Sequence, residues 1–342
     1  MAQVFGKHLT KREILDRVGN ISTLAGITRM TREDGRCLGL RTYEVVNGPL
    51  RFSVHIDKCM DLGSLYFEGM PMHFLSRPGH FQNGWYSDGE NAPRSIGGGM
   101  MFTCGLGNVG PRQDLAGGRT LPQHGRIRNS PAVTDGARCR WEGDEYILEL
   151  FGEMREAELF GENLVLRRTI TTRLGESAIH IHDEIENEGT APAPLMLMYH
   201  CNAGYPLLDA DSLLRITPTE TACRDEIAER GRLEEDLRIF GPPVPGYPEQ
   251  VFYHRLPAED GVCHAVLMNP GLGLELDIGF SVRELPYLIH WKCRAAGDYV
   301  TGIEPSNCHP EGQARERENG TLRVLEPGEV AETDLWFTLR KG

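Results

Sequence analysis

Residues 179–206 read IHIHDEIENEGTAPAPLMLMYHCNAGYP. The first part alternates: Ile179, Ile181 and Ile185 fall on one side of an extended chain, and His180, His182, Glu184 and Glu186 on the other. That period of two marks a strand half-buried in a sheet. Asn187-Glu188-Gly189 then breaks the pattern with turn residues. The apolar run APLMLM follows and ends in Tyr199-His200-Cys201-Asn202, a polar signature at a strand end.

The same grammar holds on either side. Short apolar or alternating runs recur at 41–57, 145–154, 163–174, 250–256, 263–279, 284–293, 298–305 and 321–340, parted by turn signals such as NGP, NEG, NPG and EPGE. Strand patterns at this density predict an all-β fold, a large antiparallel β-sandwich or barrel. One short helix is expected near the N-terminus, where Thr10-Lys11-Arg12-Glu13 fits a capping box ahead of Ile14, Leu15 and Val18. Residues 1–30 read as a helical extension of a single domain spanning 1–342, since no linker or fixed-period repeat divides the chain. Residues 224–239, RDEIAERGRLEEDLRI, have helical composition, but Gly231 interrupts them and the Pro-rich 241–250 follows, which predicts an elaborated loop.

The net charge of −13, from 49 acidic against 36 Lys and Arg residues, argues against nucleic acid and anionic membrane surfaces as partners. It leaves an anionic small substrate open, because a few local cations override a global sign. The nine cysteines are odd in number, irregularly spaced and without a C-x-x-C pair, which suits reduced thiols better than a disulfide framework. MAQVFGKHLTKRE lacks a signal-peptide pattern and no apolar run reaches membrane-spanning length, so a cytoplasmic protein is expected. A homo-oligomer is compatible with all of this.

Two motifs invite cofactors. Gly105-Leu106-Gly107-Asn108-Val109-Gly110 has the G-x-G-x-x-G spacing of a dinucleotide site. Pro111 follows at once, where a helix should be running and needs its N–H groups, and no amphipathic helix pattern exists in 105–125. These are loop glycines of a β protein, and no cofactor is expected. His180-x-His182 with Glu186 resembles the metal-binding pattern of cupins, yet the intervening isoleucines make the face a solvated outer one, and no metal is expected.

Chemistry can sit at three strand or loop ends: Gln123-His124-Gly125-Arg126, Tyr199 to Pro206, and Gly302-Ile303-Glu304-Pro305-Ser306-Asn307, with His290-Trp291-Lys292 as a fourth. His and Glu at the ends of separate strands supply an acid and a base to one bond. Trp offers a flat apolar face to a sugar, and Lys, Arg and Asn offer hydrogen bonds to hydroxyls.

On these residues, above all His124-Gly125, 179–206 and 302–307, the chain resembles the aldose 1-epimerase (galactose mutarotase-like) superfamily and, within it, a divergent bacterial DUF4432-like branch. The resemblance runs from about residue 40 to the end. It implies a mutarotase-like supersandwich that interconverts sugar anomers without a cofactor, with His200 as general acid, Glu304 as general base and His124 on the sugar hydroxyls. Arg126, Asn202, Gln250, Trp291 and Lys292 are expected to join the substrate site, with Asn108 and Arg77 as candidates for the family's Asn–Arg pair. The family's substrate-binding Asp has no evident counterpart; Glu249, Gln250 and Lys292 lie in that interval. Proton transfer near neutral pH asks for a Glu304 raised by partial burial and a His200 held protonated at rest. The other readings are a metal-dependent sugar-acid ketol-isomerase or epimerase, a carbohydrate lyase, and a sugar-binding protein without turnover.

Overall fold

The alternating run forms the strand Ala178–Asn187, with Ile179, Ile181, Asp183, Ile185 and Asn187 buried and the residues between them only half-buried. A computed structural model of the protein describes residues 1–82, 92–115, 118–234 and 236–342. Ala178–Asn187 pairs antiparallel with Asn163–Arg173 on one side and Val330–Lys341 on the other. Among the described residues these three belong to an eight-stranded sheet, ordered Val133–Glu142, Glu145–Ala157, Asn163–Arg173, Ala178–Asn187, Val330–Lys341, Leu274–Ser281, Val262–Asn269 and Leu213–Arg215.

The apolar run becomes Ala193–Ala203, a strand of a second, seven-stranded sheet. Its order is Met101–Leu106, Ala193–Ala203, Asp298–Ser306, Tyr287–Ala295, Gln250–Arg255 and Glu220–Cys223, with Arg323–Leu325 also paired to Ala193–Ala203. A five-stranded sheet, from Gly26–Thr31 to Met70–Pro71, adds Phe52, Val54, Leu62 and Leu65 to the same core. Leu166, Ile181 and Ile185 of the first sheet meet Leu195, Leu197 and Tyr199 of the second in that cluster. Each such side chain contributes about 1.5–3 kcal/mol by leaving water, so the layers are held by area and not by a few contacts. The fold is the expected large antiparallel β-sandwich.

One polar group crosses the core. Arg168 is 1% exposed. Its guanidinium donates to both carboxylate oxygens of Asp183 at 2.8 and 2.7 Å, to Asp61 at 2.8 Å and to the Thr103 hydroxyl at 2.9 Å. The Tyr199 hydroxyl donates to Asp183 at 2.6 Å. All three sheets therefore meet at one satisfied ion cluster, the condition under which buried charge is tolerated.

At the N-terminus the capping box forms: Glu13 N donates to the Thr10 hydroxyl at 3.3 Å, and Thr10 N to the Glu13 carboxylate at 2.9 Å, around the helix Lys11–Leu15. The segment is nonetheless not an appendage. Ala2, Val4 and Ile14 lie in the main core, and Gly26–Thr31 is already a sheet strand. Within 224–239 a helix forms at Glu226–Glu234 in place of the expected loop. Gly231 is the reason it fits: a Cβ there would meet the Gln250 side chain at 2.2 Å, so the glycine that interrupts the pattern lets the helix lie on the sheet. No helix of the described residues is long and apolar enough to cross a membrane.

Candidate functional site

Ala193–Ala203 and Asp298–Ser306 are neighbours with Cys201 opposite Ile303 and Met198 opposite Ser306. That register sets His200 opposite Glu304. Cys201 and Ile303 point into the core. Because side chains alternate along a strand, His200 and Glu304 must share the other face. There they line a cavity of about 840 Å³ together with Phe102, His124, Asn202 and Trp291.

His200 Nε2 lies 3.1 Å from Glu304 Oε1. The pair is close but poorly aligned, and Glu304 Oε1 has no hydrogen-bond partner among the described residues. His200 Nδ1 and His124 Nδ1 are buried and unpartnered as well. An unmade bond of this kind costs about 1–3 kcal/mol, and because these three residues line the cavity a polar ligand or water can pair with them there. The His200 ring is held on three sides: stacked on Phe102 at 4.4 Å, edge-on to Trp291 at 5.5 Å and edge-on to His124 at 5.9 Å.

Burial pushes Glu304 well above the usual carboxylate range; the charge of Glu249 adds to this and Arg224 opposes it. Burial pulls His200 down to about 4. It pulls His124 down to about 3, with His200 and Arg128 adding to the effect. Both members of the pair are driven to their neutral forms, so the pair holds one proton between them. This corrects the expectation of a His200 protonated at rest: desolvation penalises the imidazolium more than anything near it rewards it.

His124 owes its place to the glycine-rich stretch before it. Its own φ is +57° and that of Gly125 is +73°. A Cβ on Gly125 would lie 1.9 Å from the Gly105 carbonyl oxygen, so only glycine fits. Gly105 N donates to the His124 carbonyl at 3.0 Å, and His124 N to the Gly110 carbonyl at 2.9 Å. No α-helix starts among the described residues of 105–125. The stretch 105–110 is a bed of closely packed backbone and lacks the helix N-terminus a pyrophosphate needs.

The other expected residues divide. Trp291 lines the cavity, its indole N–H donating to Glu249 at 2.9 Å. Asn202 lines it too, but its amide is engaged by the Gly99 and His200 carbonyls at 3.2 and 2.9 Å, fixing the strand end. Arg77 stands in the wall, paired with Asp298 at 2.8 Å.

Four residues are corrected. Asn108 is fully buried, donating to the Pro111 and Pro122 carbonyls at 3.0 Å each and accepting from Gln313 N at 3.1 Å; it braces the loop and faces no ligand. Arg126 is exposed and turns to the Thr120 carbonyl. Gln250 and Lys292 are paired across neighbouring strands. Lys292 follows Trp291, so alternation sends both it and Gln250 to the reverse face, where Gln250 bonds the Tyr247 hydroxyl at 2.9 Å and Lys292 Nζ reaches the Asp236 carbonyl at 3.5 Å.

Sequence reasoning missed Phe102 and Arg224 and gave Glu249 no role. Phe102 is the cross-strand partner of His200. Arg224 pairs with Glu249 at 3.1 Å. The signal for Glu249 was its place just before the Trp291-facing strand; for the other two only the strand pairing reveals it. On the outer sheet face His180 and His182 both reach Asp334 Oδ1, at 2.8 and 2.9 Å, and Glu186 pairs with Arg167 at 2.6 Å. Among the described residues no group of three or more His, Cys, Asp or Glu side chains is arranged to hold a metal ion.

Residues 38–339 match the family model described as a domain of unknown function, DUF4432. No curated protein matches the chain. Among solved structures, a candidate aldose 1-epimerase from Klebsiella pneumoniae has a TM-score of 0.84 at 22% identity, over 94% of this chain and 86% of that one. A galactose mutarotase-like protein from Clostridium acetobutylicum gives 0.62 at 14% identity, over 94% and 100%. The galactose 1-epimerase of Lactobacillus acidophilus gives 0.59 at 14% identity, over 93% and 99%. At these identities the likeness is one of fold.

Proposed function

The chain belongs to the DUF4432 family, and from that premise we propose that it is a carbohydrate isomerase of the aldose 1-epimerase kind, acting through His200 and Glu304. One observation carries the reading: two groups from separate strands meet at 3.1 Å in a cavity, where burial favours the neutral form of each, which leaves one ionisable proton for the pair. That is the proton inventory of mutarotation. From the neutral resting pair the proton passes from Glu304 to His200; the Glu304 carboxylate then takes the hydrogen of the anomeric hydroxyl while His200 protonates the ring oxygen. The bond from anomeric carbon to ring oxygen breaks as the anomeric C–O bond becomes a carbonyl. The aldehyde turns about its first carbon–carbon bond, and closure on the other face returns both protons. No electrons leave the sugar. Trp291 and Phe102 supply apolar walls and His124 a hydrogen-bonding ring.

The test is anomer exchange by NMR over a panel of aldoses, ketoses and uronates, with and without chelator. Accelerated exchange of at least one aldose, unchanged by chelator, is expected. Failure to accelerate any sugar would overturn the assignment.

Turnover should be bell-shaped in pH. As pH falls through the depressed value of His200 the pair takes a second proton and loses its base. As pH rises through the raised value of Glu304 the pair loses its only proton and with it the acid. The acid limb is expected below the ordinary histidine range, because burial places His200 at about 4. Both limbs belong to the coupled pair and are read from kcat against pH.

Gly302 precedes Glu304 on the same face, and a Cβ there would lie 2.0 Å from Glu304 Oε1. Gly302→Ala should displace the carboxyl group and lower kcat by roughly 100-fold, the scale of a misplacement of about 1 Å. A variant with unchanged kcat would show that the carboxyl position does not matter.

A further inference from the structure

Glu156 is a carboxylate the mechanism does not use. It sits near the end of the strand Glu145–Ala157 and is 6% exposed. Its Oε2 accepts the Leu106 N–H at 2.9 Å and its Oε1 the Gly107 N–H at 3.2 Å. A Cβ on Gly107 would lie 3.1 Å from Oε1, so the glycine lets the carboxylate in. These two amides begin the bed on which His124 rests. One residue earlier, Gly105 N holds the His124 carbonyl, and three residues later the Gly110 carbonyl holds His124 N. Between them Asn108 ties the loop to Pro122, two residues before His124.

We propose that Glu156 is a positioning residue: its carboxylate holds the 105–110 loop in the shape that seats His124 in the cavity, so that sugar binding weakens when the carboxylate takes a proton. The chemistry is a matter of donors and acceptors. An ionised carboxylate accepts both amides at once. Once protonated, the oxygen that carries the hydrogen is a much poorer acceptor for the amide it faces. One of the two anchors is then lost.

The ionisation lies within reach of neutral pH. Burial raises Glu156 to about 7 against the pull of the Leu106 and Gly107 amides. Arg126 favours the carboxylate and Glu162 opposes it. Glu162 is itself paired with Arg119 at 2.9 Å. His124 is pulled down to about 3, so a change at its ring near neutrality reports its surroundings and not its own titration.

The experiment is an NMR pH titration of the full chain carrying ¹⁵N backbone and ¹³C histidine-ring labels, from about pH 8 to about pH 6, in wild type and Glu156→Gln. The Leu106 and Gly107 amides and the His124 ring should move with one midpoint in wild type and stay flat in the variant. Amides that titrate while the His124 ring stays still would overturn the coupling, and so would no titration in that window. The wild-type titration needs no variant, so a poorly folding Glu156→Gln leaves the test intact. The kinetic arm rests on the isomerase reading, with the aldose found active in the NMR exchange panel as probe. KM should rise about tenfold in Glu156→Gln, and more than kcat falls. Absence of isomerase activity would remove only that arm, because the NMR arm uses no sugar.

Discussion

Glu304→Gln should lower the rate of anomer exchange by about 10²- to 10⁴-fold, the contribution of a positioned acid or base, while leaving the protein folded. The second half of that expectation follows from the site. Glu304 is 2% exposed and driven to its neutral form, and Gln has nearly the shape of a protonated carboxyl. Oε1 has no hydrogen-bond partner to lose. The thermal midpoint should therefore hold or rise slightly. His200→Asn should cost similar activity, with a modest loss of stability from its stacking on Phe102, about 0.5–1.5 kcal/mol. The double variant should be little worse than either single one, since groups that pass one proton act as a unit. Polarimetry or NMR exchange reads the rates; near-normal exchange in either single variant would remove that residue from the mechanism.

The largest effect on stability is expected at Arg168. Arg168→Met removes the one cation paired with Asp61 and Asp183 among the described residues and leaves both carboxylates in the core. Breaking one side of such a buried cluster costs about 3–5 kcal/mol, more than a cavity of the same size would. The loss should depend on pH. Burial holds Asp61 at about 6 even with Arg168 opposing it, above the unfolded value of about 3.9. A group that binds its proton more tightly when folded favours the native state as pH falls between those two values. Without Arg168 its folded value rises further, so the deficit should be widest at neutral pH and narrower near about pH 5. Chemical denaturation at the two pH values measures it. An equal deficit at both would show that the loss is one of packing and not of charge.

The strands were legible because their burial is periodic. IHIHDEIE announces an inner and an outer face, and the structure buries Ile179, Ile181 and Ile185 as written. His200 and Glu304 were legible as strand-end polar residues, but their meeting was not, since it depends on a register between segments about a hundred residues apart. The four displaced residues fail for two physical reasons. Gln250 and Lys292 were chosen because they fall in the interval of the family's substrate-binding Asp, whereas a strand turns alternate side chains to opposite faces. Asn108, a candidate for the family's Asn–Arg pair, and Arg126, two residues after His124, lie in a segment whose glycines turn the backbone sharply, so position in sequence says nothing about direction. Arg168, the keystone of the core, reads in sequence as one more charge in RRTITT and carries no local mark of its burial.

One consequence concerns how such a pocket could be redesigned. His200 and Glu304 are placed by strand register, and the residues between them fill the core. Sliding either strand by one position would exchange the reactive face for the packed one, so the reacting pair cannot be edited separately from the scaffold. Phe102 and Trp291 line the cavity from the strands, but much of its rim comes from connecting segments, among them those bearing Arg77, Gln123, His124 and Glu249. On the isomerase reading proposed above, segment swaps there would present a different ligand to an unaltered His200–Glu304 pair, which makes the rim the place to graft a new sugar preference and the two strands the part to leave untouched.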